Sequence, residues 1–447
     1  MASIAKAVAQ IKSEPRGPIN KSIAEAVCRR LGLRWANTPL TPPVTLALLA
    51  QQVLRGNVSN PELIRAEGLT VTAAAYCTAK GRLPLEVVKE LSRDVCNAAQ
   101  QAAGKQAENL WRGHKTWHLD GSSVSMPDTP ELQEHFGQPS EQKPGCGFPV
   151  AHLLCLFGAV TGLILDMIVS PFRTGDLTKT PVIQAALKAN DVVIADTAFS
   201  SYYHIAALWA RGVFGVFPSH QKRIVSFKPH RAYNKGTKTD REGRPTSRWI
   251  KRLGKDDQEV EYFKPKARPR YLSAAEYLEV APSVRVREIR RTVRRKGFKD
   301  RILVVVTTLL DADKYPADDI VALTKERWNV ELNLRHLKTT MGMEILRCQS
   351  VDAVQKELWA YVLIYNLARV VMLEAAQCQD VPLDRISFAD ALYWLRYARP
   401  GDGLPALIVN AERPDRIEPR AVKRRPKEYD RLTKPRAIMR KLVPRKK

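Results

Sequence analysis

Cysteine is sparse in this chain and follows no pattern: seven residues, an odd number, with no C-x-x-C pair and no Cys/His zinc spacing. That argues against a disulfide scaffold and a structural zinc site, and leads us to expect reduced thiols. Long apolar runs are missing too. The longest uncharged one, Ala151 to Leu165, is shorter than a membrane span and contains a turn-like Gly158-Ala-Val-Thr-Gly162. No charged start followed by an apolar middle opens the chain. A soluble, cytoplasmic protein with no membrane partner is expected.

Acidic residues are in deficit, 46 against 72 Lys and Arg, for a formal charge of +26. Such an excess points to a polyanion as partner. Residues 222–300 carry 24 basic and 10 acidic side chains, and residues 413–447 carry 15 and 4, so two segments hold nearly all of the excess. The 447 residues suffice for two or three domains and a large core.

The first hundred or so residues read as helices. Ile23–Leu33 is amphipathic, Pro42-Pro43 starts an apolar helix to Leu54, and shorter helices follow near Pro61–Glu67 and Thr72–Lys80. These form a small bundle or a helix-turn-helix-like unit. Another helix runs from Leu83-Pro84 to about Leu110.

Strand texture then begins. Thr116–Asp120 leads into Gly121–Met126, Leu153–Val160 and Leu163–Val169 read as a buried hairpin, and Val192–Asp196 is a buried strand ending on a carboxylate. A helix precedes that strand (Thr178–Ala189), and a helix (Tyr202–Arg211) and a strand (Val213–Phe217) follow it. The cationic stretch 222–300 alternates in short runs with Tyr233, Trp249, Tyr262, Phe263 and Tyr271 interleaved, which reads as a β-rich, nucleic-acid-binding insertion splitting the sheet. Arg301–Thr307 resumes a buried strand, and helices Val351–Glu374 and Phe388–Tyr397 follow.

Thr324, Arg327, Glu331 and Lys338 stand at steps of three, four and seven, so a single helix keeps them on one face. Leu323, Val330, Leu334, Leu337 and Met341 form a second, core-facing stripe. Read locally, Arg327 and Glu331 are an ordinary i, i+4 ion pair. Read with Asp120 and Asp196 at strand ends of one sheet, Glu331 completes a set of three carboxylates with few nearby cations. A buried carboxylate without a counter-charge is costly, and Mg²⁺ removes that cost. Two such ions, roughly 4 Å apart, suit in-line displacement at phosphorus. Arg327 and Lys338 are then placed to hold the phosphate backbone.

The run Arg327-x3-Glu331-x6-Lys338 resembles the Tyr-x2-Arg-x3-Glu-x6-Lys signature of bacterial transposases of the insertion-sequence-four family. The resemblance extends over most of the chain: the Leu-Asp120-Gly context, Ile-Ala-Asp196-x-x-Phe199, the basic insertion, Thr-Ala-Ala-Ala-Tyr-Cys77 with Arg82-Leu-Pro84, and the tail Pro419-Arg-Ala-Val-Lys-Arg-Arg-Pro-Lys427. Two positions depart from the family: Thr324 replaces the signature tyrosine, and Thr197-Ala198-Phe199 follows the second aspartate.

The resemblance implies an α/β, ribonuclease-H-like mixed sheet with flanking helices, interrupted by the β-rich insertion and preceded by an all-α DNA-binding region. The implied organisation is a helical region (1–110), a first half of the core (111–221), the insertion (222–300), a second half with the Glu331 helix (301–345), C-terminal helices (346–412) and a basic tail (413–447). It implies an Asp120-Asp196-Glu331 triad binding two Mg²⁺ ions, with Mn²⁺ as substitute, and DNA contacts from Thr324, Arg327 and Lys338. Trp249 or Tyr262 is implied to stack on a base flipped out near the transposon end. The implied reaction is cut-and-paste transposition by a dimer in a synaptic complex on two inverted repeats, with a hairpin intermediate and insertion into target DNA. A metal-dependent nuclease or resolvase on the same fold, and a domesticated DNA-binding copy, stay open as alternatives.

Overall fold

The computed structural model describes residues 19–103, 110–174, 176–234, 243–293, 300–399, 401–409 and 434–442. Its centre is one nine-stranded sheet in the order β3-β2-β1-β4-β5-β9-β8-β7-β6. The strands are β1 (Thr116–Ser125), β2 (Val150–Gly158), β3 (Ile164–Pro171), β4 (Val192–Ala195), β5 (Phe214–Pro218), β6 (Ser247–Gly254), β7 (Asp257–Phe263), β8 (Ser283–Val293) and β9 (Arg301–Thr307). Strands β1 to β3 pair antiparallel, while β4 lies parallel to both β1 and β5. Antiparallel β9 follows on the far side of β5. The hairpin β2–β3 is nearly all apolar because both of its faces are covered.

The basic insertion comes between β5 and β9 in the chain, as expected, while those two strands pair directly in the sheet. Strand β9 pairs with β5 on one edge and with β8 on the other, so β6 to β8 continue the same sheet outward. The reason is hydrogen-bonding: a strand beside a free edge satisfies its own backbone by joining it. Strand β6, at the new edge, carries two register shifts, a common device for discouraging further pairing.

The helices preceding the sheet are α1 (Lys21–Arg30), α2 (Pro42–Leu54), α3 (Asn60–Ala66), α4 (Ala73–Arg82) and α5 (Leu85–Ala103). Four short helices follow within the sheet region: α6 (Pro130–Phe136), α7 (Asp176–Gln184), α8 (Tyr202–Ala210) and α9 (Ala274–Glu279). Helices α1, α2 and α5 share the main core with β1 to β3. Only α3 and α4 rest on a small core of their own, built with α2 from Leu48, Leu63, Ile64 and Tyr76.

After β9 come α10 (Ala317–Glu326), α11 (Trp328–Arg335), α12 (Val351–Cys378), α13 (Phe388–Tyr397) and α14 (Arg436–Leu442). Helix α12 is long and apolar enough to cross a membrane, but 94% of that apolar window is buried inside the protein. Its polar groups close the β2–β3 turn. The Asn366 side chain accepts from Ile164 N and donates to Ile164 O, both at 2.8 Å, and Arg369 Nε donates to Thr161 O at 2.9 Å. These bonds keep buried polar atoms satisfied while fixing the helix to the sheet. Most of the basic tail lies outside the described residues. Within α14, Arg436 pairs with Asp128 at 3.3 Å and covers the Phe148 ring.

Candidate active site

Two carboxylates are set by the pairing of β1 and β4. Those strands run parallel with Leu119 opposite Ala195. Asp120 and Asp196 are each one residue further along, where β4 ends and β1 continues with β2 alone. The ends of adjacent parallel strands are where an open α/β sheet exposes reactive groups. Asp120 Oδ1 accepts from the amide of Gly121 at 2.9 Å. Asp196 Oδ1 caps the turn Thr197–Phe199 by accepting from Ala198 N at 2.8 Å.

The third carboxylate arrives from across the sheet. Helix α10 lays Ile320, Val321 and Leu323 on Val192, Ile194 and Val216 of β4 and β5, which leads α11 and Glu331 over the strand ends. Arg327 joins the groups: Nη1 is 3.5 Å from Asp120 Oδ2, and Nη2 is 3.8 Å from Glu331 Oε1. The i, i+4 pair read from the sequence is thus present, with Asp120 added to it. Burial raises the Asp120 pKa, with Gly121 N–H and Arg327 opposing and the charges of Asp196 and Glu331 adding to the rise. Asp120 therefore feels both other carboxylates.

The helix carrying Glu331 runs through Arg327 as expected, with the Arg327 backbone right-handed helical at φ −52° and ψ −27°. Its regular α-helical bonding lapses for that one residue, between α10 and α11, and it ends in a π-helical turn, His336–Thr340, that contains Lys338. The wider turn changes the angular position of Lys338 relative to Glu331. Lys338 is half-buried and, among the described residues, pairs with no carboxylate. The Thr324 hydroxyl donates to Val321 O at 2.7 Å, so it is bonded within its own helix.

Of the two aromatic candidates, Tyr262 is 1% exposed, donates its hydroxyl to Glu288 at 2.8 Å, and lies under the Arg223 guanidinium. A ring enclosed in this way offers no face to a base, which corrects its place among the candidate DNA contacts. Trp249 is half-buried beside His230 and lines a 320 Å³ cavity with Phe227, Arg252 and Arg290. Its indole N–H has no partner among the described residues. The positive field of the insertion is also partly cancelled. Acidic side chains on β7 pair with its neighbours: Glu261 with Arg248, Glu259 with Lys251 and Arg285, and Asp257 with Arg287.

His118 went unremarked in the sequence. The two-residue period of β1 puts it on the same face as Asp120, and that period could have singled it out. It is 1% exposed with neither ring nitrogen bonded among the described residues. Burial, and then Arg327, lower its pKa to about 4, so it is neutral.

Three carboxylates make a hard oxygen donor set, which suits Mg²⁺ or Mn²⁺ and argues against a soft metal. The set fits such an ion in composition, and its charge is offset by one guanidinium. As the side chains stand, no three potential ligands converge on a metal position among the described residues. The Arg327 fork reaches both Asp120 and Glu331.

The family model described as "Transposase DDE domain" matches residues 111–367. The chain is 24% identical over 379 residues to "Transposase InsG for insertion sequence element IS4" of Escherichia coli (strain K12), covering 80% of this chain and 78% of that protein. It is 25% identical over 136 residues to "Putative transposase InsZ" of the same strain, covering 30% and 45%. Among solved structures, the piggyBac transposase synaptic complex with hairpin DNA matches at a TM-score of 0.40 and 8% identity, over 89% of this chain and 80% of that one. The family match spans more than half of the chain and contains Asp120, Asp196 and Glu331. The chain therefore belongs to the DDE-domain transposase family and is a DNA transposase of the IS4 kind.

Proposed function

We propose that Asp120, Asp196 and Glu331 are the catalytic and metal-binding triad, holding two Mg²⁺ ions for which Mn²⁺ substitutes, on a ribonuclease-H-like core. The observation that carries this reading is the pairing of β1 with β4, which sets Asp120 and Asp196 side by side while α10 leads Glu331 over them. The sheet order β3-β2-β1-β4-β5, with the first three strands antiparallel and the next two parallel to β1, supports the fold assignment.

Divalent ions, which this family uses, supply an activated water or 3′-hydroxyl and charge stabilisation for the leaving oxygen. The protein's own groups do the rest. Asp120, desolvated and beside two like charges, has a strong electrostatic reason to take a cation. Arg327 holds the scissile strand through a two-pronged phosphate contact, and Lys338 adds a point charge nearby. His118, neutral beneath the site, excludes water from the floor without adding charge. Trp249 is the aromatic available to a base displaced from the transposon end. The substrates are terminal inverted repeats and then target DNA, handled by a homodimer in a synaptic complex that cuts, forms a hairpin and inserts.

The test is cleavage of a labelled duplex carrying the element's terminal repeat, with Mg²⁺ and with chelator, for wild type and Glu331→Gln. Metal-dependent cutting at the repeat boundary, lost in Glu331→Gln with DNA binding retained, is the expected result. Unaltered cutting by Glu331→Gln would refute the triad. Cleavage without joined product in a strand-transfer assay would instead select the nuclease reading.

A further inference from the structure

Arg327 makes two contacts that differ from the buried pairing of Arg287 with Asp257. Arg287, 1% exposed, holds Asp257 with Nε and Nη2 at 2.8 and 2.5 Å. Arg327 spans two carboxylates instead of one, at 3.5 and 3.8 Å, beyond the roughly 2.7–2.9 Å of a strong charge-assisted bond. It also sits at the joint where α10 ends and α11 begins. Among the described residues, no other cation forms an ion pair with Asp120 or Glu331, and Asp196 has none.

We propose that Arg327 is a positioning residue that occupies the cation's place between Asp120 and Glu331 until a DNA phosphate draws it away, so that the metal site assembles on DNA. This rests on the reading of Asp120, Asp196 and Glu331 as the metal-binding triad. Both ligands of Arg327 are also ligands of the ion in that reading, so guanidinium and metal compete for the same oxygens. Phosphate presents the planar fork with a bidentate partner that the two separated carboxylates do not match. Moving the guanidinium onto DNA frees Asp120 and Glu331 and restores the repulsion among the three carboxylates that a divalent ion relieves. The device couples metal affinity to the presence of substrate and keeps the protein from acting as a free nuclease.

The experiment measures Mn²⁺ binding to the full chain without DNA, from the electron paramagnetic resonance of the free ion. Arg327→Gln is expected to bind Mn²⁺ at least about tenfold more tightly than wild type, within the usual range of coupling between two sites. Lys338→Gln removes an equal charge but frees no carboxylate, and a gain of less than about threefold is expected. Asp196→Asn added to Arg327→Gln should abolish the gain. No tightening in Arg327→Gln, or equal tightening in Lys338→Gln, overturns the role of Arg327 and leaves the triad standing. A gain that survives Asp196→Asn shows that Asp196 is not a ligand of that ion and overturns the triad reading, while the competition at Asp120 and Glu331 stands. Circular dichroism of each variant checks that it is folded.

Discussion

The buried pair Arg287–Asp257 ties the outer half of the sheet to the helix that approaches the active site. Its side chains are 1% and 6% exposed, and Arg287 Nη1 also donates to Tyr315 O at 2.6 Å. Tyr315 in turn bonds His114 Nε2 at 2.8 Å and stacks on Trp111, just before α10 begins. Asp257→Ala leaves a guanidinium buried without its counter-charge. Breaking such a pair costs about 3–5 kcal/mol, a large share of the roughly 5–15 kcal/mol that holds a typical domain. Urea unfolding followed by tryptophan fluorescence should show that loss. Hydrogen exchange should show earlier opening of residues 315–326, because the strand-to-helix tie is broken. Replacing both partners, Asp257→Leu with Arg287→Met, removes the charge with its counter-charge and should recover most of the stability, since apolar replacements of buried pairs are often neutral or better. A cost below about 1 kcal/mol for Asp257→Ala, or a double variant no better than the single, would show that water or another group compensates Arg287 and refute the reasoning.

Three further outcomes are expected. His118 and His204 are buried with pKa values lowered to about 4 and about 3, chiefly by desolvation. The unfolded chain therefore takes up protons first as pH falls, and stability, full above the ordinary histidine pKa, should drop by about 1 kcal/mol per residue between pH 7 and 5.5. Chemical denaturation at the two pH values checks this; because His336 is likewise lowered to about 4 and contributes a similar share, His204→Phe should remove about a third of the drop. Gly162 has φ +68° and lies directly against the buried Arg369 guanidinium, so Gly162→Ala should cost about 1–3 kcal/mol through backbone strain and displacement of that side chain, measured by thermal unfolding. Trp249→Ala should weaken binding to terminal-repeat DNA without lowering the melting temperature, whereas Tyr262→Phe should destabilise the fold by about 1–3 kcal/mol by stripping a hydrogen bond from buried Glu288.

Local chemistry wrote much of this molecule directly into its sequence. Alternation and apolar runs locate the strands near Asp120 and Asp196, and β9 has the very bounds its pattern indicates, with burial confined to its second half, where it runs beside β5. The spacing Arg327-x3-Glu331 also sets a local ion pair, since residues four apart on a helix are neighbours whatever surrounds them. Longer-range relations were beyond such reasoning. Strand order is a matter of which edges meet, so the insertion's place as an extension of the sheet follows from the pairing of β9 with both β5 and β8. Burial depends on every layer at once. Tyr262 and Trp249 look alike in a basic, aromatic stretch, but one is sealed against Glu288 and Arg223 while the other lines a cavity. The π-helical turn at Lys338 likewise departs from the uniform helix period on which the sequence spacing rests. The residue types needed for the chemistry are thus properties of the sequence, while their meeting point, with Arg327 reaching both Asp120 and Glu331, is decided by tertiary contacts between segments some 200 residues apart.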